Sequence, residues 1–180
     1  MGSKWEADIT TQIAPPWTHM SPKRIGDVPE ALSTPYAFLR VRRNGTPFYR
    51  LDLYYPRDTY CFTTKAIAWN NWLVVGYGDR VTLISNADAS TPTTPPEQTL
   101  DLASYFMDFW PTTDDLLIMS GHGISCVAPN GQSRWHNNDL GLDGVIIRSV
   151  EHGVICGDGE WDPPGDWQPF AIYTATGQSI

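Results

Sequence analysis

The residues with the clearest potential for metal chemistry lie in two similar hexapeptides, GHGISC at 121–126 and EHGVIC at 151–156. Each places a cysteine four positions after a histidine, so His122, Cys126, His152 and Cys156 could form a Cys₂His₂ zinc site. Within one strand, however, residues i and i+4 lie about 13 Å apart, whereas zinc ligands lie about 2.0–2.3 Å from the metal. Neither pair could chelate alone. We therefore expect two tight turns with glycine at positive φ, and no metal site.

Signatures of enzymes are few. The sequence has no G-x-S-x-G, P-loop, G-x-G-x-x-G or H-E-x-x-H motif, and Cys61 has no neighbouring base to activate it. Clustered loop carboxylates at Asp158, Glu160 and Asp162 leave a hydrolase as a further alternative. We expect a non-catalytic protein without catalytic residues or a cofactor.

The segment GDGEWDPPGDW (157–167) is the strongest candidate for binding. Two prolines stiffen it, which lowers the entropy lost on binding, and tryptophan is enriched in binding hot spots. A second aromatic and polar stretch is SRWHNND (133–139). The alternative is that the loop rings cover a sheet edge and that Trp135 lies in the core. The predicted partner- or ligand-binding residues are Trp135, His136, Asp158, Glu160, Trp161, Asp162, Asp166 and Trp167.

An internal repeat gives the best evidence on the fold. WLVVG (72–76) aligns with LLIMS (116–120) at an offset of 44, and Val81, Leu83 and Ile84 align with Ile124, Cys126 and Val127 at an offset of 43. VIC (154–156) and FAIY (170–173) continue the pattern. Asn44-Gly45 lies between two alternating runs and predicts a type I′ hairpin turn. The chain is therefore predicted to be all-β.

A period of 40–45 residues with four strands per unit is typical of propeller blades. The chain from about 65 to 180 resembles β-propeller blades, and Gly121-His122 followed by Trp161-Asp162 is similar to the WD40 family. The resemblance implies a partial or three-blade propeller-like set of antiparallel sheets, with units at about 65–110, 111–143 and 144–180. A twisted β-sandwich is the alternative.

The chain divides by composition near residue 35. Residues 1–35 carry five prolines and predict an extended arm, with a disordered leader as the alternative. Ile13, Trp17 and Ile25 would pack this arm onto the body. Residues 36–180 are interpreted as a single β domain that begins with a hairpin at 36–56.

The overall charge limits the classes of partner that the protein is expected to bind. A formal net charge of −8 argues against nucleic acid, which requires a basic surface, and no apolar run reaches the length of a membrane span. Three cysteines form no secreted disulfide framework and no signal peptide is evident, so we expect a cytoplasmic protein. The hypothesis is a protein-binding domain for a basic partner, of the acidic inhibitor or immunity type, with a carbohydrate-binding module as the alternative. A monomer is favoured over a homodimer.

Overall fold

The computed structural model describes residues 4–29, 34–55, 63–85, 97–162 and 164–180. Cys61 and Pro163 lie outside these ranges. The chain is all-β, as predicted: its described part contains fifteen strands in four sheets and a single 3₁₀ turn. Contacts divide it into unit 1, residues 1–78 and 82–99, and unit 2, residues 79–81 and 100–180. The boundaries between the units fall at residues 78/79, 81/82 and 99/100, inside the stretch 36–180 that was predicted to be a single β domain.

Sheet 1, in unit 1, is built around the predicted hairpin. Asn44 and Gly45 have φ values of 51° and 77°, which are the two positive values that a type I′ turn requires. The strand order is β1-β3-β4-β2, with β2 parallel to β4 and the other pairs antiparallel. Its strands are β1 (Trp5–Thr10), β2 (Lys23–Gly26), β3 (Ala37–Arg43) and β4 (Thr46–Tyr54).

Residues before 35 thus supply both edge strands of sheet 1. The prolines at 15, 16, 22, 29 and 35 lie outside β1 and β2, so neither strand loses a donor to proline. Because the two strands occupy opposite edges, the link between them must cross the sheet. The 3₁₀ turn Trp17–His19 lies in that link. Trp17 and Ile25 are buried and Ile13 is half-buried.

Three antiparallel meanders follow along the chain. Sheet 2 has the order β5-β6-β7-β8, sheet 3 has β12-β11-β10-β9, and sheet 4 has β13-β14-β15. The aligned repeats fall on equivalent strands, since β6, β10 and β14 are the second strands of the three meanders. The bounds are β5 (Lys65–Trp69), β6 (Trp72–Tyr77), β7 (Arg80–Ser85), β8 (Glu97–Asp101), β9 (Phe106–Pro111), β10 (Leu116–Ser120), β11 (Ile124–Val127), β12 (Ser133–Asn137), β13 (Gly144–Glu151), β14 (Val154–Glu160) and β15 (Trp167–Tyr173).

Each unit has its own apolar core between two sheets. In unit 1, Leu39 and Leu53 from sheet 1 pack with Leu73 and Tyr77 from sheet 2. In unit 2, Ile155 and Ile172 of sheet 4 belong to the same buried cluster as Leu117 of sheet 3. Alternation along β14 and β15 therefore leaves the other face of sheet 4 towards solvent. That solvent-facing side carries the candidate site.

Candidate binding surface

The β14–β15 hairpin carries the loop that the sequence analysis singled out. Glu160 lies directly opposite Trp167 in the strand register. Beyond this pair, the backbone N–H of Trp161 donates a hydrogen bond to the carbonyl oxygen of Asp166 at 2.9 Å, so the ladder continues into the loop. The backbone N–H of Gly165 donates to Glu160 Oε1 at 2.6 Å, which ties the tip to the strand. The loop is thus held by a backbone bond across its base and by a bond to the last residue of β14.

The indole of Trp167 extends across the sheet. Gly144 on β13 is the register partner of Glu160 on β14, which is in turn the partner of Trp167 on β15. A Cβ added to Gly144 would lie 2.8 Å from Trp167 Cη2 and 3.5 Å from Glu160 Oε2. Since Trp167 and Gly144 are two strand spacings apart, about 9.6 Å, the ring must lie along the sheet surface to reach this point. The missing side chain of Gly144 makes room for it.

Large apolar side chains are exposed at this end of sheet 4. The backbone N–H of Leu142 donates to the carbonyl oxygen of Glu160 at 2.7 Å, so Leu142 lies beside the start of the loop. Leu142 is 54% exposed, Trp161 39% and Trp167 38%. We call this region the Trp-loop surface and define it as Leu142, Asp143, Glu160, Trp161, Asp162, Asp166 and Trp167.

The negative charge of the protein is concentrated in unit 2. Unit 1 contains nine Lys and Arg residues and eight Asp and Glu residues, a formal charge of +1, whereas unit 2 contains three and twelve, a formal charge of −9. The three basic residues of unit 2 are all arginines that pair with acids: Arg80 with Asp79 and Asp101, Arg134 with Asp115 at 2.9 Å, and Arg148 with Asp158. These cations are therefore engaged away from Asp143 and Glu160.

The negative charge of this region also affects the side chain of Tyr105. Its hydroxyl donates to the backbone carbonyl of Asp143 and lies 3.2 Å from Asp143 Oδ1. Burial, followed by the charges of Asp143 and Glu160, raises the pKa of Tyr105 to about 12, because negative neighbours disfavour a phenolate. Tyr105 contacts the Trp-loop surface at Asp143 but was missed by sequence reasoning, since the two residues lie 38 positions apart.

The predicted binding residues do not all lie together. Glu160, Trp161, Asp162, Asp166 and Trp167 share the loop end of sheet 4. Asp158 lies on the same side of β14, two residues before Glu160, and forms an ion pair with Arg148.

Trp135 and His136 are placed elsewhere. The Trp135 indole N–H donates to the carbonyl oxygen of Thr174, beyond the opposite end of β15, at 2.8 Å. Trp135 is only 9% exposed and belongs to the core of unit 2, so it offers a partner almost no surface. His136 is exposed on β12.

The two His-Cys pairs do not converge. Cys126 is buried in the core, whereas Cys156 is exposed on the solvent-facing side of sheet 4. Across the described residues, no group of three or more His, Cys, Asp and Glu side chains is placed to hold a metal ion. Glycine plays a different role in each copy. Gly153 has φ +81° in the β13–β14 turn, whereas Gly123 lacks a positive φ and is required because a Cβ would lie 1.8 Å from the Asn137 carbonyl oxygen.

A small cleft lies at the other end of sheet 4, in unit 2. Its volume is about 240 Å³, and it combines the β9–β10 turn with the β13–β14 turn. Asp115 in the cleft is paired with Arg134. The lining residues are Thr112, Thr113, Asp114, Asp115, Leu117, Val150, Glu151, His152, Gly153 and Thr174. The cleft contains a histidine and three acids, but the predicted hydrolase carboxylates Asp158, Glu160 and Asp162 are not among its lining residues.

Unit 1 contains a complete example of an arginine held between tryptophan and carboxylate. Arg42 Cζ lies 5.4 Å from the centre of the Trp17 ring, within the range of a cation–π contact. Its Nη1 lies 2.5 Å from Asp8 Oδ1. Arg50 also donates from Nη1 to the Trp17 carbonyl oxygen at 3.1 Å. The arginines of sheet 1 are thus partly covered by the segment that crosses the sheet.

Comparison with known proteins informs the fold alone. No protein-family model matches the chain, and no curated protein sequence matches it. A solved structure described as KlHsv2 with loop 6CD replaced by a Gly-Ser linker is similar to this chain with a TM-score of 0.50 and 10% sequence identity. The similarity covers 79% of this chain and 44% of the other, so the match spans less than half of that structure. Within the described ranges, no helix combines the length and apolar character needed to cross a membrane.

Proposed function

We propose that this protein is a non-catalytic binding domain that engages a partner protein with a basic surface through the Trp-loop surface. The observation that carries the proposal is the presence of three exposed large apolar side chains at one end of sheet 4, in the unit that holds the whole excess of negative charge. Exposed apolar clusters rimmed by charge are typical of protein interaction sites.

The composition of the surface suits a protein partner. Tryptophan contributes a large contact area with few rotatable bonds, so less entropy is lost when it binds. The carboxylates around the rings would attract a basic partner over a long range and accelerate association. Small acidic inhibitors and immunity-type proteins act on basic toxin surfaces in this manner, and we assign this protein to that functional class as a monomeric inhibitor.

Affinity capture tests the proposal. Immobilised wild-type protein should retain a basic protein from native lysate, and 0.5 M salt should release it because salt screens exposed charges. The product of a neighbouring reading frame is the first purified candidate to assay. Trp161→Ala with Trp167→Ala should reduce affinity for that protein by at least tenfold, since hot-spot tryptophans each contribute 2 kcal/mol or more.

The matched control is Phe48→Ala, which removes a large side chain of similar exposure, 36%, from unit 1. It should leave binding unchanged. Retention of the partner by the double tryptophan variant would contradict the proposal, as would loss of the partner in both variants.

A carbohydrate-binding module is the second candidate, because both loop tryptophans are exposed beside carboxylates. Side chains alternate between faces along a strand. Trp167 shares the face of its cross-strand partner Glu160, whereas Trp161, the next residue after Glu160, starts from the opposite face. A flat platform formed by both rings requires them on one face. Binding to a glycan array that is lost in Trp161→Ala and in Trp167→Ala alike would favour this function over a protein partner.

A further inference from the structure

Trp167 and Glu160 are cross-strand partners on the solvent-facing side of sheet 4, and we call them the Trp167–Glu160 pair. The indole lies along the sheet towards Gly144, and Glu160 Oε2 lies at the same point. One carboxylate oxygen of Glu160 is already anchored by Gly165, so the side chain is held in place. Trp167 is still 38% exposed. An aromatic surface and a fixed carboxylate are therefore presented side by side.

This combination is suited to a cation. An indole attracts a positive charge placed over its face, and an adjacent carboxylate adds a charge-assisted hydrogen bond. The carboxylate of Asp143, linked to Tyr105, is nearby and adds negative charge. The cations of unit 2 are engaged at other carboxylates, so an arriving cation would come from outside the unit.

The chain itself shows which cation fits such a pair. In sheet 1, the guanidinium of Arg42 is placed over Trp17 while it contacts Asp8. A guanidinium is planar, stacks on aromatic faces and offers several N–H groups in one plane, whereas an ammonium is compact and strongly hydrated. Trp167 and Glu160 repeat the two acceptors of that arrangement without its arginine.

We propose that the Trp167–Glu160 pair binds an arginine side chain of the partner protein. The proposal rests on the proposed function, because it names the chemical group that the Trp-loop surface recognises. The guanidinium stacks on Trp167 and donates to the Glu160 carboxylate, and Gly144 is essential because any side chain there would displace the ring.

The test uses N-acetyl-arginine amide as the probe, with the lysine and citrulline amides compared on the full chain. The Trp167 indole N–H resonance, assigned through Trp167→Phe, is followed by NMR as each probe is added. The arginine probe should shift this resonance saturably at millimolar concentration. The lysine probe should bind more weakly, and the uncharged citrulline probe should produce no saturable shift.

Glu160→Gln removes the charge and retains an oxygen that can accept the Gly165 hydrogen bond. It should weaken arginine binding about tenfold, as expected for loss of a charge-assisted bond. Asp114→Asn, an equal change of charge at an exposed residue near the other end of sheet 4, should have an effect of less than about twofold because its charge is exposed and lies away from Trp167. Gly144→Ala should also weaken binding, and its NMR spectrum shows whether the fold is retained.

Two outcomes overturn the inference: equal shifts with arginine and citrulline, or an arginine affinity that Glu160→Gln leaves unchanged. The proposed function fails separately. If a partner is captured through the tryptophans while the arginine probe does not bind, the assignment of the Trp167–Glu160 pair to arginine is wrong and the binding function stands. If the arginine probe binds but no protein depends on the tryptophans, the reverse holds.

Discussion

The indole nitrogen of Trp135 on β12 donates a hydrogen bond to the carbonyl oxygen of Thr174, just after β15, at 2.8 Å. This bond joins sheets 3 and 4 within unit 2. Trp135→Phe keeps a ring but leaves the carbonyl without this donor, and we expect a loss of about 1–3 kcal/mol in the free energy of unfolding. Trp135→Ala should cost about 3–5 kcal/mol. Urea unfolding followed by circular dichroism measures both, and Trp161→Phe at the exposed loop should change stability by less than about 0.5 kcal/mol.

Gly177 packs against the same tryptophan. It has φ +70°, and a Cβ there would lie 2.4 Å from Trp135 Cε3. Gly153, in the same unit, has φ +81° but would meet only Thr174 Oγ1 at 3.8 Å. Both Gly→Ala variants incur the cost of a positive φ, about 1 kcal/mol or more. Gly177→Ala should lose a further 1–3 kcal/mol or so from overpacking. Equal losses in the two variants would contradict the contact with Trp135.

The strand repeat could be predicted because its signals are short-range patterns within the sequence. Alternation and Asn44-Gly45 determine a hairpin, and the offset of 43–44 aligns the second and third strands of successive meanders. The repeat predicted that one unit ends near residue 110, whereas β9 (Phe106–Pro111) pairs with β10 in the next sheet. Strand pairing across a meander depends on the loop that precedes it, and residues 102–105 carry no strong turn signal.

The edge strands of sheet 1 were not predicted. The proline content of residues 1–35 favoured an extended arm, but β1 precedes the first proline and β2 lies between Pro22 and Pro29. Their partners lie up to 38 positions away. Such pairing leaves no local signal beyond a few alternating residues in WEADIT.

The loop carboxylates and tryptophans of the candidate site were singled out from the sequence, but their arrangement could not be predicted. Trp167 meets Gly144 only because three strands share one register. Leu142 joins the surface through a backbone bond to Glu160. The concentration of charge in unit 2 requires the boundary between the units, which composition alone does not show.

The two described cysteines should differ in reactivity. Cys156 is exposed, whereas Cys126 is buried, and burial together with the charge of Asp115 raises the pKa of Cys126 to about 12. In a Cys61→Ser background, a thiol reagent at pH 8 should label Cys156 within minutes and Cys126 only after unfolding, because the thiolate is the reactive form. Cys156→Ser removes the fast phase. Fast labelling that persists in Cys156→Ser would contradict the burial of Cys126.

Cys126 should also make stability depend on alkaline pH. Its folded pKa lies above the ordinary value of 9.0, so the unfolded chain loses this proton first as the pH rises. The contribution of Cys126 is therefore full below pH 9 and is lost as the pH rises towards 12. Melting temperatures between pH 8 and 11 should fall more steeply for the wild type than for Cys126→Ala. Parallel curves would show that Cys126 does not titrate differently in the two states.

The outer edge of β15 should keep the protein monomeric through Pro169. Tyr173 donates to Gln178 and Ala171 accepts from Ile180, at 2.9 and 3.0 Å, so the backbone groups of odd-numbered residues in β15 point away from β14. Pro169 stands at one of these outward positions, where proline withholds a donor from an incoming strand. Pro169→Val restores that N–H and should promote self-association through the edge, seen by light scattering at 0.1–1 mM protein or so. Gln168→Val adds the same side chain at a position whose N–H points towards β14, and it should stay monomeric. If both variants associate, added hydrophobicity rather than the edge donor is the cause. If neither does, the turn that returns residues 178–180 along β15 already protects this edge.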